Sequence, residues 1–185
     1  MNDAILNAAR PLRRATGLTQ AGLVLAGVAI LTASAKFQVP FWPAPMTMQT
    51  LAVLMLGAAY GARLGSGTVI AYLALGAAGA PVFAAGGGAA YFVGPTGGYL
   101  VGFALAAFVV GSLIAQRPRA SLVGAFAVVL AGDAIIFGCG VGWLAVLFGA
   151  GKALAYGLAP FALAELLKLA LGASLIVGVR RLRRA

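Results

Sequence analysis

Long apolar runs, separated by short clusters of Pro, Gly and Arg, dominate the sequence. A bilayer-spanning helix needs roughly 20 apolar residues, and such runs recur along most of the chain. The pattern predicts an all-α integral membrane protein with six transmembrane helices at about residues 18–35, 46–61, 66–78, 98–115, 121–143 and 156–179. The second and third runs are short, and we interpret them as a tight hairpin.

The segments between the runs predict where the helices end. Pro40, Pro43 and Pro45 terminate the first helix, and "GARLGSG" around Arg63 separates the second from the third. Residues 79–97 are rich in Gly and predict a long irregular loop. Pro160 is expected in the first turn of the sixth helix or at a kink within it.

Composition supports a single membrane domain over residues 1–185. Hydrophobic residues make up 63% of the chain and charged residues 9%, with a mean hydropathy of +1.05. Residues 1–17 are expected to be an N-terminal cytoplasmic segment, and residues 180–185 a basic cytoplasmic tail.

The basic residues predict the orientation of the helices. With six crossings, both termini share one side with most of the arginines, namely Arg10, Arg13, Arg14, Arg63, Arg117, Arg119, Arg180, Arg181, Arg183 and Arg184. Lys36 and Lys152 lie on the opposite side, so the positive-inside rule predicts cytoplasmic termini. The net charge of +10 is therefore explained by orientation and not by nucleic acid binding.

The residue inventory excludes several classes of chemistry. The chain has no His, one Cys and three acidic residues, so disulfides, Cys/His metal sites and Ser-His-Asp or Cys-His nucleophiles are excluded. The sequence "GGGAAYFVGPTGG" lacks the Lys-Ser/Thr ending of a phosphate-binding loop. We expect no cofactor, no metal and no ATP hydrolysis by this chain itself.

Two Gly/Pro-rich loops, residues 36–45 and 79–97, are predicted on the outer face. Irregular backbone at membrane depth is tolerated only where protein or a water-filled cavity covers it. We therefore expect an outward-facing pocket beneath these loops.

Three ionisable side chains are predicted inside the membrane. Glu165 and Lys168 are three residues apart and share one helix face, and Asp133 lies in the fifth span. The pair either neutralises itself or offers the Lys168 ammonium to an anionic ligand, with Glu165 positioning it or accepting a ligand N–H. Asp133 is open to interpretation as a proton- or cation-coupling group, a ligand contact or an interfacial residue.

Polar side chains near the outer face are further candidates for binding a small polar head. They are Thr47, Gln49 and Thr50 in "APMTMQT", and Tyr91, Thr96 and Tyr99 around "FVGPTGGYLVGF", with Phe41, Trp42, Phe83, Phe92 and Trp143 as apolar walls. The alternative is an aromatic belt at the membrane interface with hydroxyls that cap helices.

Small residues recur at spacings of four in the first span, as Gly22, Ala26, Ala29 and Ala33. This spacing lets two helices approach closely in lipid. It serves either packing within the chain or docking of a partner.

With these residues in view, the sequence resembles the BioY family, the substrate-capture (S) components of energy-coupling-factor (ECF) transporters for biotin. The resemblance covers residues 33–173. It rests on the segment from "VPFWPAPMTMQT" to "GAPVFAAGGG" and on "GPTGGYLVGF", "FGCGVGWLA" and "PFALAELLKLALGA". The family usually has Asp where this chain has Glu165.

The resemblance implies a six-helix fold with both termini inside and an outward biotin pocket. Lys168 would meet the valerate carboxylate, and the turn at Gly98 and Tyr99, with nearby polar groups, would serve the bicyclic head. The partners implied are a transmembrane coupling protein, which would dock on Ala29 and Ala33, and paired ATPases that supply the energy. A bacterial cytoplasmic membrane is the expected location, and a homo-oligomer is possible.

Two alternatives to biotin capture are open at this stage. One is an S component for another small vitamin. The other is a small proton- or cation-coupled carrier that uses Asp133 and Glu165.

Overall fold

The computed structural model describes residues 17–117 and 121–182. Its helices and strands in chain order are α1 (Gly17–Lys36), β1 (Gln38–Val39), β2 (Met46–Thr47), α2 (Gln49–Ala77), α3 (Ala90–Val93), α4 (Gly97–Ala115), α5 (Leu122–Phe148), α6 (Ala150–Gly157), a 3-10 turn (Ala159–Phe161) and α7 (Ala162–Leu182). The basic residues Arg10, Arg13, Arg14, Arg119, Arg183 and Arg184 lie outside the described residues.

The predicted six-helix architecture is confirmed. Five apolar stretches of the described ranges have the length and composition to cross a membrane, and the 29-residue α2 folds back on itself at Gly61, which gives six apolar helical segments in these ranges. The backbone of Gly61 has φ 80° and ψ 173°, a left-handed conformation that favours glycine. The Gln49 amide bonds the Tyr72 hydroxyl at 2.8 Å across the two antiparallel halves.

The predicted turn around Arg63 is displaced. Residues 62–65 are helical, and the reversal occurs at Gly61. Gly65 is instead a packing position, because a Cβ there would lie 3.0 Å from the Cα of Gly57 on the other half of the hairpin. The hairpin is therefore tighter than the sequence predicts.

Helix α4 lies at the centre of the bundle and packs against α2 on one side and α5 on the other. Small residues make both contacts close. A Cβ on Gly57 of α2 would lie 2.6 Å from the Ala107 carbonyl oxygen, and one on Gly102 would lie 2.9 Å from the Cα of Ile136 in α5. Helix α1 is peripheral and packs on α2 through Gly27, Val28 and Leu31.

The loops between α1 and α2 and between α2 and α4 meet at one end of the bundle, which we call the loop end. Strands β1 and β2 form an antiparallel hairpin there, and the Lys36 ammonium donates to the Phe83 carbonyl at 2.7 Å. The hairpin and the short helix α3 are additions to what the sequence predicts.

Because residues 49–60 rise only about 18 Å, this half of α2 is too short to cross a roughly 30 Å hydrocarbon layer alone.

The last two elements differ in detail from the predicted sixth span. Helix α5 continues to Phe148, and the short helix α6 precedes a 3-10 turn that contains Pro160. Pro160 fits this first turn because its missing N–H would have no helical partner there. At the end of the bundle opposite the loops, the Arg180 guanidinium donates to the carbonyls of Arg117 and Ile114, at 2.7 and 3.0 Å.

Candidate functional site

A cavity opens at the loop end of the bundle, bounded by the two loops and by α2, α4, α5 and α7. It encloses about 560 Å³ of space free of atoms, its opening included. Its walls are mainly aromatic and aliphatic, with Phe83, Leu100, Phe103, Phe137 and Phe161 among them. A mostly apolar cavity with a few polar groups is typical of a small-molecule site.

The loop between β1 and β2 covers the cavity from one side. Phe41 in this loop packs on Phe161 with ring centroids 6.0 Å apart. Trp42 packs on Phe148 and Tyr156, with centroid separations of 5.6 and 6.0 Å. The covering loop is thus joined to α5 and α6 through aromatic contacts.

Lys168 is at the centre of a buried polar cluster beside the cavity. Only 8% of the residue is exposed, and its ammonium donates to the Thr47 carbonyl at 2.6 Å, the Glu165 carboxylate at 2.7 Å and the Thr50 hydroxyl at 3.2 Å. An ammonium has three N–H donors, so all of them are engaged. Lys168 therefore joins α7 to β2 and to the start of α2.

Glu165 forms the cavity-facing side of this cluster. One carboxylate oxygen accepts from Lys168, and the other accepts from the Thr50 hydroxyl at 2.8 Å. Glu165 is only 5% exposed and lines the cavity, whereas Lys168 lies behind it. The predicted proximity of the two side chains on one helix face is observed as an ion pair.

Asp133 lies on α5 close to the same cluster. It is 7% exposed, interacts electrostatically with Glu165 and Lys168, and has an Oδ1 atom without a hydrogen-bond partner. It does not line the cavity. Its side chain is buried between helices.

A second hydrogen-bonded chain holds Gln49 against the cavity. The Gln49 amide nitrogen donates to the Tyr72 hydroxyl, which in turn donates to the Val82 carbonyl at 3.0 Å. The Gln49 side-chain oxygen accepts from the Thr47 hydroxyl at 3.4 Å. The amide is thereby oriented with its oxygen toward Thr47 and the cavity.

Tyr99 and Thr96 line the cavity, but Gly98 does not. The Tyr99 hydroxyl donates to the Gly157 carbonyl at 2.7 Å, so its ring contributes an apolar wall. Gly98 contacts α5, where an added Cβ would collide with the Cys139 carbonyl oxygen. Its position serves the close approach of α4 and α5.

The small residues predicted for docking, Gly22, Ala26, Ala29 and Ala33, are all exposed on α1. The opposite face of α1, with Gly27, Val28 and Leu31, is the one that packs on α2. Packing of these four residues within the described chain is therefore not observed.

Several residues of the site were not among the predicted candidates, namely Phe137 and Phe161 in the cavity wall and Tyr72 behind Gln49. These three belong to apolar runs and carry no distinguishing pattern. Thr50, a predicted polar candidate, lies in the ionic cluster. Within the described ranges, no group of three or more His, Cys, Asp or Glu side chains is arranged to hold a metal ion.

Comparisons with known proteins agree with this architecture. Residues 7–185 match the BioY family. The chain is 38% identical to the biotin transporter BioY of Thermotoga maritima, over 86% of this chain and 96% of the relative. It is 36% identical to the probable biotin transporter BioY of Pyrococcus horikoshii, over 82% and 90% of the two chains.

A solved structure has the same fold. It is the crystal structure of the S-component for biotin from an ECF-type ABC transporter, with a TM-score of 0.76 and 25% sequence identity, covering 92% of this chain and 95% of that one. The family match extends over nearly the whole chain and the structural likeness over most of it. This chain belongs to the BioY family.

Proposed function

We propose that this chain binds biotin in the cavity at the loop end and takes part in biotin uptake as the S component of an ECF transporter. The observation that carries the proposal is a buried ammonium, Lys168, which lies directly behind the cavity-lining Glu165 of an apolar cavity in a BioY-family fold. Biotin has a carboxylate at one end and a ureido ring at the other, which suits such a cavity.

Lys168 is the proposed partner of the biotin carboxylate. Since all three of its donors are engaged, the ligand must replace one acceptor, and the Thr47 carbonyl is the most suitable. Thr47 belongs to β2, which directly follows the covering loop, and displacement of this loop would also open the path into the cavity. Glu165 would then keep its bond to Lys168 and hold the ammonium toward the ligand.

The ureido ring and the rest of the bicyclic head are proposed to lie near Gln49, Thr47, Thr96 and Tyr99. The fixed Gln49 oxygen is an acceptor suited to a ureido N–H, and the Thr96 hydroxyl can act as donor or acceptor. Tyr99 supplies an aromatic surface, because its hydroxyl is occupied by Gly157.

The remaining parts of the proposal concern the membrane and the partners. We propose that the chain lies in a bacterial cytoplasmic membrane with both termini cytoplasmic. The positive-inside rule supports this orientation, because Arg63, Arg117 and Arg180 lie at the end opposite the loops. The exposed small residues of α1 are the proposed docking face for a transmembrane coupling protein. Paired ATPases would supply the energy.

Equilibrium binding of labelled biotin to the detergent-purified chain, without ATP, tests the proposal. We expect saturable binding that unlabelled biotin displaces and an unrelated vitamin such as thiamine does not. Absence of binding at micromolar biotin would overturn the function proposed here. Displacement by the unrelated vitamin with equal potency would favour an S component of different specificity.

A further inference from the structure

The hydrogen-bond donors around Asp133 are fully engaged elsewhere. The three N–H groups of Lys168 are directed to Thr47, Glu165 and Thr50. The hydroxyl hydrogen of Thr50 is directed to Glu165. No donor in this cluster is left for Asp133, in agreement with its unpartnered Oδ1 atom.

The other elements packed against α5 do not supply a donor or a charge either. On α4, the Tyr99 hydroxyl bonds Gly157, and on α2, the Tyr72 hydroxyl bonds Val82. On α6, Lys152 and Tyr156 are exposed. In the described ranges, the charged groups that face Asp133 are therefore Glu165 and Lys168, both on α7.

The net charge of the cluster is a second indication that Asp133 is unfavourable as an ionised group. If both carboxylates are ionised, the cluster of Asp133, Glu165 and Lys168 has a net charge of −1 in a buried setting. A buried ionised carboxylate without a donor is strongly unfavourable. A proton on Asp133 would neutralise the excess charge. It would also supply the missing donor, since the protonated Asp133 carboxyl can donate to the Glu165 carboxylate, which is within hydrogen-bonding reach.

We propose that Asp133 is a proton-binding site, that it holds a proton directed to Glu165, and that an anionic ligand binds at Lys168 with this proton retained. The ligand part rests on the proposed function. A ligand carboxylate would add a further negative charge to the cluster. Without the proton, three carboxylates would share one ammonium, so loss of the proton should expel the ligand.

Infrared spectroscopy of the purified ligand-free protein tests the proton site directly. The chain has only three acidic side chains, so the C=O stretch of a protonated carboxyl group can be assigned with few variants. We expect this band at neutral pH in the wild type and in Asp3→Asn, and its absence in Asp133→Asn. If Asp133→Asn does not fold, carboxyl ¹³C labelling of aspartate in the wild type should shift the band. No band, or a band shifted only by labelled glutamate, would overturn the assignment.

Binding of biotin and of uncharged biotin amide across a pH series tests the ligand part. Above the pH at which the infrared band is lost, wild-type affinity for biotin should fall by up to about tenfold per pH unit, since one proton is linked to binding. Asp133→Asn should bind biotin with no such fall, and the amide should show none in either protein. Equal pH profiles for wild type and Asp133→Asn would overturn the linkage. Absence of biotin binding at every pH would overturn the proposed function and the ligand part, while the infrared band still decides the proton site.

Discussion

Lys168 is held by three acceptors from three different segments of the chain, namely β2, α2 and α7. A buried ion pair contributes little net stability, because the loss of hydration offsets much of the attraction. Intramembrane ionisable residues usually mark a functional site. The cluster is therefore better explained by ligand recognition than by stabilisation of the fold.

Replacing Lys168 by Ala should weaken biotin binding by at least about tenfold, since a hydrogen bond to a charged group contributes about 1.5–3 kcal/mol. Binding of uncharged biotin amide should weaken much less. Competition binding with both ligands measures the difference, and Lys152→Ala is the matched control because Lys152 is exposed. Equal losses of affinity for biotin and for biotin amide would show that Lys168 does not bind the biotin carboxylate.

At the scale of elements, the α2 hairpin depends on a single backbone conformation. Gly61 has a positive φ at the reversal, and the two halves touch through Gly57 and Gly65. The Gln49–Tyr72 hydrogen bond joins the two halves of α2 at the ends that are distant from Gly61. The hairpin therefore positions the polar start of α2 beneath the covering loop.

Gly61→Ala should destabilise the protein by about 1–3 kcal/mol, because a residue with a Cβ is strained at this φ and ψ. Gly67→Ala is the matched control. Gly67 is an exposed helical glycine of the same element with open space around its Cα, so the change should be neutral or slightly stabilising. Thermal unfolding in detergent compares the two, and an equal effect of both variants would contradict the special role of Gly61.

The covering loop is the second element whose role can be measured. Trp42 joins the loop to Phe148 and Tyr156, so Trp42→Ala should loosen the cover and speed the dissociation of biotin. Phe37→Ala is the control, because Phe37 is an aromatic residue beside the loop with 73% of its surface exposed. Stopped-flow dissociation rates test this. A rate unchanged by Trp42→Ala would show that these contacts do not retain the ligand.

At the scale of the whole molecule, the proposed binding face and the proposed docking face are separate. The cavity lies at the loop end among α2, α4, α5 and α7, whereas the small-residue face belongs to the peripheral α1. Changes on one face should therefore leave the other intact.

Ala29→Leu and Ala33→Leu should prevent co-purification with the coupling protein and ATPases, because close helix approach in lipid requires small residues. Biotin affinity of the isolated chain should stay within about twofold, as for surface substitutions away from a site. Ala170→Leu, at an exposed position of α7, is the control and should change neither co-purification nor biotin affinity. Normal complex recovery with both α1 variants would exclude this face as the docking site.

The sequence by itself determined the elements that depend on local composition. The helices followed from apolar runs, most of them near spanning length, and the Glu165–Lys168 pair followed from helical spacing. The position at which α2 reverses direction did not follow from the sequence, because "GARLGSG" offers three glycines. Only packing decides that Gly65 contacts Gly57 while Gly61 turns the chain. The β1–β2 hairpin was also not predicted, because the prolines in this segment indicate only where α1 ends.

Only the tertiary structure decided how the polar groups are paired. Thr50 meets Glu165 across 115 positions of sequence, and Lys168 meets Thr47 across 121. It also separated Gly98, a packing residue, from Tyr99, a cavity wall, although the two are neighbours in the chain. Periodicity reports which face of a helix a residue occupies, but the donors that reach a buried carboxylate depend on which helices pack together. That is why the sequence predicts Asp133 inside the membrane, and only the fold revealed that its Oδ1 atom lacks a hydrogen-bond partner.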